Sequence, residues 1–243
     1  MSLEDARDDV HYARPELLVE PIWVQEHADD PNIVIIDCDG YEAFDTRGHI
    51  PGAVGLPVHP YFRNVETGEG VATAEQTETI LRGLGVNQDS KVILYDSQGG
   101  LLASRVWWVL WYYGHENSAL MNGGWPAWIA SRLPTTHDHP QVTPGNWTAT
   151  EHSERIASCD LMLPGIQSGN TVALDVRSVE EWSGQKPAPN VTNQQEGHIP
   201  GAIHVEWREF IDWDNATRFK PAVAILRRLE QAGVPFDKRL VPY

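Results

Sequence analysis

The sequence has little positive charge, little cysteine and no long hydrophobic run. Its 34 acidic residues outnumber 18 basic ones, and the formal net charge of −16 repels nucleic acid and anionic membrane surfaces. The longest strongly apolar stretch, VWWVLWYYG, is far shorter than a membrane span. The acidic start MSLEDARDDV has neither the net positive charge nor the apolar stretch of a signal peptide. These absences predict a soluble, cytoplasmic protein that binds neither nucleic acid nor membranes.

Metal and nucleotide motifs are also missing. The two cysteines, Cys38 and Cys159, have no zinc-type spacing, and in a reducing compartment we expect them to be free, inert thiols with some burial. His137 and His139 lie in an HDH run without a further ligand cluster, so no metal site is predicted. The glycine pairs form no nucleotide fingerprint, and no cofactor is predicted.

What the sequence does contain is an internal repeat. GHIPGA occupies positions 48–53 and recurs at 197–202, and LRGLGVNQDSKVILYD matches LEQAGVPFDKRLVPY at the end of the chain. A repeat this long is a duplicated domain rather than a solenoid unit. The segment HDHPQVTPGNW has the composition of a linker. We therefore predict an N-terminal domain over 1–147 and a C-terminal domain over 148–243.

Each half has short β-branched runs that alternate with helical patterns. IVIID and TVALD indicate buried strands of a parallel sheet, and the alternation predicts an α/β fold with a mostly parallel sheet flanked by helices in each half. In the first copy the chain continues after KVILYD through a glycine-bearing loop, a helix and a strand. The second copy stops at Tyr243, so we expect this domain to be incomplete and the intact protein to be longer.

The loop after KVILY is the place where chemistry is expected. Ligands of open parallel sheets bind at the carboxyl ends of the strands. A glycine-rich turn and a following helix N-terminus bind anions there, and they lower the pKa of a cysteine at the first loop position. In the first half that position is Asp96, which cannot attack sulfur. In the second half it would follow Tyr243.

The paired GHIPGA motifs, the stretch YDSQGGLLASRVWWVLWYYGHENSALMNGGWPAW and the run DVRSVEEWSG resemble the tandem-domain rhodaneses, which are thiosulfate sulfurtransferases. The resemblance extends from about Leu17 to Tyr243. It implies a catalytically silent N-terminal domain and a nucleophilic cysteine immediately after Tyr243, so that residues 1–243 alone are inactive. It also implies a cofactor-free reaction in which a thiolate takes sulfur from thiosulfate and the persulfide passes it to cyanide or another thiophile.

The same resemblance selects site residues. Asp175 and Arg177 match a D-x-R run near the catalytic loop, where they either brace the loop or form a structural ion pair. Glu181 stands where mercaptopyruvate-using relatives, and some thiosulfate-using ones, carry a donor-binding arginine. This departure favours a thiosulfate enzyme of the bacterial type. Three further residues match positions that line the family's cleft, with core packing as the alternative: Leu101, Leu102 and Trp207.

Other conspicuous residues have structural interpretations. His49 and His198 recur in both GHIPGA copies, which favours a role in the turn over catalysis. Three tryptophans on one predicted helix indicate core or interface packing: Trp107, Trp108 and Trp111. The alternative functions are a 3-mercaptopyruvate sulfurtransferase, a non-catalytic binding or regulatory module, and, less supported, a cysteine phosphatase, which needs a longer loop ending in arginine.

Overall fold

The structure, a computed structural model, describes residues 11–57, 62–64, 70–186 and 196–243. These residues form two compact units. The N-terminal unit consists of Ala13–Arg155 together with Trp213–Phe219, and the C-terminal unit contains Ile156–Asp212 and Lys220–Tyr243. The division into domains at 147/148 stays a prediction.

The N-terminal unit is a five-stranded parallel sheet with the strand order β1-β5-β4-β2-β3. Its strands are β1 (Leu18–Val19), β2 (Ile33–Asp37), β3 (Val54–Gly55), β4 (Lys91–Tyr95) and β5 (Ser118–Met121). Its helices are α1 (Pro21–His27), α2 (Tyr41–Arg47), α3 (Ala74–Gly83), α4 (Leu101–Tyr112) and α5 (Gly124–Ala130).

The central strands β2 and β4 form the middle of this core. Ile35, Ile36, Ile93 and Leu94 are at most 2% exposed, because both faces of a parallel sheet are covered by helices. Register is fixed along the whole of β2, from Ile33 opposite Lys91 to Asp37 opposite Tyr95. The carboxyl ends of the two strands therefore lie side by side.

The C-terminal unit contains a three-stranded parallel sheet with the order β10-β6-β7. The strands of this sheet are β6 (Thr171–Asp175), β7 (Ile203–His204) and β10 (Arg239–Pro242), and the unit also contains the short strand β8 (Ile211–Asp212). The helices of the unit are α6 (Cys159–Gln167), α7 (Val179–Trp182) and α8 (Ala222–Gln231). The repeat pairs β6 with β2, β7 with β3 and β10 with β4, and the two sheets share this strand order. The predicted α/β fold with a mostly parallel sheet in each half is confirmed.

One segment of the second sequence half belongs to the N-terminal unit. This arm, Trp213–Phe219, contains the short strand β9 (Arg218–Phe219). The Thr217 hydroxyl donates to the Gly123 carbonyl at 2.9 Å, and the Phe219 amide donates to the side chain of Asn122 at 2.9 Å. A side chain at Gly123 would place Cβ 2.6 Å from the Ala216 carbonyl oxygen, so the arm requires glycine there.

The segment predicted to be a linker has no helix or strand, but it is attached to the N-terminal unit. The Gly145 amide donates to the Arg82 carbonyl at 2.8 Å and the Trp147 amide to the Val86 carbonyl at 3.2 Å. The Trp147 side chain is fully buried. The segment is thus part of the packing of this unit.

The remaining packing predictions have mixed outcomes. The three tryptophans of α4 are half-buried, and Trp107 stacks on Trp111 with ring centroids 6.0 Å apart. Cys38 is a buried free thiol, and burial raises its pKa well above the usual value. Cys159 is also free, but the expectation of burial is wrong, because it begins α6, which has no buried residue. Among the described residues no helix is long and apolar enough to cross a membrane.

Candidate active site

The loop between β4 and α4 forms a cradle of backbone N–H groups around the carboxylate of Asp96. One carboxylate oxygen accepts from the amides of Gln98 and Gly100, both at 2.9 Å. The other accepts from Leu102 at 2.7 Å and Ala103 at 2.9 Å. Four converging donors satisfy four acceptor positions, which an ionised carboxylate supplies. This is an anion site, and the protein's own side chain occupies it.

Glycines give the loop this shape. Gly99 and Gly100 have φ of +72° and +88°, in the left-handed region that side chains disfavour. At Gly124, which starts α5, a Cβ would lie 2.1 Å from the Asp96 carbonyl oxygen. That oxygen accepts a hydrogen bond from the Trp125 amide at 2.8 Å. The start of α5 thus contacts the main chain of Asp96 closely.

Asp96 is nearly inaccessible to solvent, with 1% of its surface exposed. Burial raises the pKa of Asp96, although the backbone donors Ala103, Gly100 and Gln98 act in the opposite direction. A carboxylate held in this way cannot serve as a sulfur nucleophile. Asp96 directly follows β4 and begins the cradle; that it is the counterpart of a nucleophile stays a prediction.

In the C-terminal unit, Asp175 and Arg177 form a fork at the end of β6. The Arg177 Nε lies 3.0 Å from Asp175 Oδ1, and one terminal nitrogen lies 2.5 Å from Oδ2. The same guanidinium donates to the Gly197 carbonyl at 2.9 Å. This bidentate pair joins the strand end to the second GHIPGA turn.

Tyr243 completes this group of residues. Its hydroxyl accepts from the Ile199 amide at 3.0 Å, and its ring lies 5.2 Å from the Arg177 guanidinium carbon. Burial alone would raise the pKa of Asp175, but the hydrogen bonds from Arg177, with Tyr243 acting in the same direction, outweigh burial and hold the pKa below the usual value. We call Asp175, Arg177, Tyr243 and the Ile199 amide the strand-end network.

The N-terminal unit contains a similar network, but its guanidinium comes from a different position in the sequence. The hydroxyl of Tyr95 is 3.4 Å from the Ile50 amide, as that of Tyr243 is close to the Ile199 amide in the other repeat. The guanidinium comes instead from Arg47, at the end of α2, 2.5 Å from Asp37 Oδ2. Arg47 immediately precedes the first GHIPGA, where the second copy has Glu196.

The position equivalent to Arg177 in the N-terminal unit is Asp39, so the charges are exchanged between the repeats. Asp39 bonds to Arg47 through one oxygen, while its other oxygen is buried and has no hydrogen-bond partner among the described residues. At this edge the N-terminal unit has three carboxylates and one guanidinium: Asp37, Asp39, Asp96 and Arg47. The C-terminal unit has a balanced pair, which is the better environment for an anionic reactant.

The other predicted residues lie apart from this network or at its margin. Glu181 forms a capping box with Ser178, whose hydroxyl is 2.8 Å from the Glu181 carboxylate; its role is to begin α7. The Trp207 amide donates to the Val176 carbonyl at 3.0 Å, beside the network, and its side chain is half-buried. Leu101 and Leu102 begin α4, and the Leu102 amide belongs to the cradle. That these three residues line a cleft stays a prediction.

The histidines stack on aromatic rings or pair with a carboxylate. His49 is buried and stacks on Phe44 with centroids 3.6 Å apart, while His198 stacks on Trp182 at 3.5 Å. His139 pairs with Asp45 at 3.1 Å. No group of three or more metal-ligating side chains exists within the described ranges. The sequence interpretation missed Tyr243 and Arg47, although the repeat alignment of Tyr95 with Tyr243 could have identified the first.

The chain matches a protein family and is similar to several known proteins. A family model described as "Rhodanese-like domain" matches residues 20–131 and 159–237. A putative thiosulfate sulfurtransferase of Haloferax volcanii is 34% identical over 242 residues, covering 96% of this chain and 82% of that protein. The sulfur carrier protein TtuD of Thermus thermophilus is 31% identical over 240 residues, covering 96% and 83%.

Among solved structures, SseA from Escherichia coli, described with the rhodanese fold and catalytic mechanism of 3-mercaptopyruvate sulfotransferases, superposes with a TM-score of 0.80. It is 26% identical to this chain. The match covers 93% of this chain and 87% of that one.

Proposed function

The chain belongs to the rhodanese-like domain family, and on that premise we propose that it is a thiosulfate sulfurtransferase acting through a cysteine persulfide. Relatives with this name, such as the thiosulfate sulfurtransferase of Azotobacter vinelandii at 30% identity, support sulfurtransferase activity in general. The choice of thiosulfate as donor, and of cyanide or another thiophile as acceptor, is our proposal. No cofactor, nucleic acid or membrane takes part in it.

The observation that carries the proposal is the occupied cradle of the N-terminal unit. Its four N–H groups hold an anion at the first position after β4, and the position after Tyr243 is the equivalent point after β10. We place the nucleophilic cysteine at that position. Converging amides and a helix N-terminus lower the pKa of such a thiol and stabilise the developing charge.

The reaction balances without an oxidant or a proton donor. The thiolate attacks the outer sulfur of thiosulfate; a new S–S bond forms, and the S–S bond of thiosulfate breaks with its electron pair leaving on sulfite. Cyanide then attacks the outer sulfur of the persulfide, releasing thiocyanate and restoring the thiolate. Both half-reactions bring anions to the cysteine, and this favours the C-terminal unit, in which Arg177 replaces the buried acid Asp39.

Two further features support the choice of donor and catalytic unit. Glu181 is held in the α7 capping box and offers no cation to the carboxylate of mercaptopyruvate. Neither Cys38 nor Cys159 follows β4 or β10, and Cys38 is fully buried. We therefore propose that residues 1–243 by themselves do not turn over. The free thiols favour a cytoplasmic location.

The second candidate is a 3-mercaptopyruvate sulfurtransferase, which the structural similarity to SseA favours. A protein produced from the complete gene, with residues 1–243 as a control, separates the candidates. Thiocyanate is measured with cyanide and either thiosulfate or 3-mercaptopyruvate, and the intact mass is recorded before and after each donor.

We expect thiocyanate from thiosulfate and a mass gain of one sulfur atom, and neither from residues 1–243. Turnover with mercaptopyruvate alone would establish the second candidate. The absence of both activities would refute the enzyme and leave a non-catalytic binding module.

A further inference from the structure

Both repeats contain a tyrosine that connects the same three parts of its unit. In the C-terminal unit, the Tyr243 hydroxyl accepts from the Ile199 amide at 3.0 Å, and the Tyr243 backbone is hydrogen-bonded to the residues on either side of Asp175. Ile199 belongs to the GHIPGA turn, Asp175 ends β6, and Tyr243 follows β10. Tyr243 therefore ties the GHIPGA turn and the end of β6, which are distant in sequence, to the end of β10.

The backbone of Tyr243 is fixed as well. Its amide donates to the Leu174 carbonyl at 3.0 Å, and its carbonyl accepts from the Val176 amide at 3.2 Å. With the Arg177 guanidinium over the ring, the main chain and the side chain are both held by β6 and its following residues. The direction in which the chain leaves Tyr243 is set by these contacts.

We infer that Tyr243 is a positioning residue for sulfur transfer: its hydroxyl fixes the strand end from which the proposed nucleophile projects. The inference rests on the proposed function and on the cysteine placed after Tyr243. Asp175 is completely buried, so its carboxylate needs each of its donors. Without the hydroxyl, the Ile199 amide loses its partner, and the strand end loses its side-chain connection to the GHIPGA turn.

The test is Tyr243→Phe in protein produced from the complete gene. Phenylalanine keeps the ring under Arg177 and removes only the hydroxyl. We expect kcat for thiocyanate formation to fall on the order of 10- to 100-fold, because small misplacements of a reacting group cost this much. KM for thiosulfate should change less than kcat. The pH profile of iodoacetamide alkylation should shift to higher pH, because a thiol that is misaligned with the N–H donors has a higher pKa.

The chain provides a matched control in Tyr95→Phe. Tyr95 makes the same contact, with the Ile50 amide, in the unit that carries Asp96 in place of a nucleophile. It is fully buried, so the variant loses at least as much stability. We expect its kcat and its alkylation profile to match those of the wild type.

The outcomes are distinct. A wild-type protein without sulfurtransferase activity would overturn the proposed function and, with it, this inference. An active wild type whose Tyr243→Phe variant keeps kcat and the alkylation profile would overturn the inference alone, as would equal losses in both variants.

If Tyr243→Phe does not fold by circular dichroism, 4-aminophenylalanine at position 243 replaces it. Its amine keeps a polar group at this position but accepts poorly from the Ile199 amide. A folded protein of this kind with a reduced kcat supports the inference, and the wild-type rate would overturn it.

Discussion

Replacing Asp96 by asparagine removes half of the acceptors in the occupied cradle. Asparagine retains one oxygen, which can serve either the Gln98 and Gly100 amides or those of Leu102 and Ala103. The other pair then faces an NH₂ group that cannot accept a hydrogen bond. Two bonds to a charged acceptor are lost, at about 1.5–3 kcal/mol each. We therefore expect Asp96→Asn to lower the free energy of unfolding of the N-terminal unit by about 3–6 kcal/mol.

Urea unfolding followed by tryptophan fluorescence measures this change, because the N-terminal unit contains most of the tryptophans. Asp89→Asn is the matched control. Asp89 is exposed, and its replacement should change the free energy by no more than about 0.5 kcal/mol. A loss of less than about 1 kcal/mol for Asp96→Asn would refute the reasoning, since it would mean that water or a shifted loop satisfies the four amides equally well.

Three further changes test other parts of the structure. The pKa of Asp175 is lowered in the folded protein, so its carboxylate stabilises the C-terminal unit above the unfolded-state pKa of about 3.9. This contribution should disappear as the pH falls through the native pKa. Asp175→Asn should remove this loss of stability at acid pH, as measured by urea unfolding at a series of pH values. Gly145→Ala should lower the free energy of unfolding by at least about 2 kcal/mol, because its Cβ would lie 2.0 Å from the Val86 carbonyl oxygen. Gly83→Ala, with open space around it, should be neutral or stabilising by up to about 1 kcal/mol. Equal effects of the two variants would show that the contact at Gly145 does not limit stability. Thr73→Ala should cost about 1 kcal/mol through loss of the α3 capping box, and an unchanged urea midpoint would show that the cap does not contribute.

The sequence predicted those features that depend on local pattern and on the repeat. The runs IVIID and TVALD form equivalent strands because their apolar residues are buried on both sheet faces. Asp96 starts an anion-binding loop, and the glycines that follow it allow this loop to form because they permit positive φ. Features that depend on partners distant in sequence were not predicted. Arg47 reaches Asp37 across ten positions from the end of α2, and nothing local in TRGHIPGA indicates this.

The exchange of charges shows the same limit. The first half has D-x-D where the second has D-x-R, and its guanidinium comes from Arg47, immediately before the GHIPGA turn. The exposure of Cys159 was missed because the LML that follows it suggested burial. Leu161 and Leu163 are in fact more than half exposed.

The arm has a consequence for biosynthesis. The N-terminal unit is continuous to Arg155, but its last contacts come from Trp213–Phe219. A ribosome that adds about 5–20 residues per second needs about 3–13 s to synthesise residues 156–219. During that interval the nascent unit has its sheet but leaves the Gly123 carbonyl and the Asn122 side chain without their partners from the arm. Its final stability therefore arrives late in translation, after the strands of the second repeat have begun to emerge.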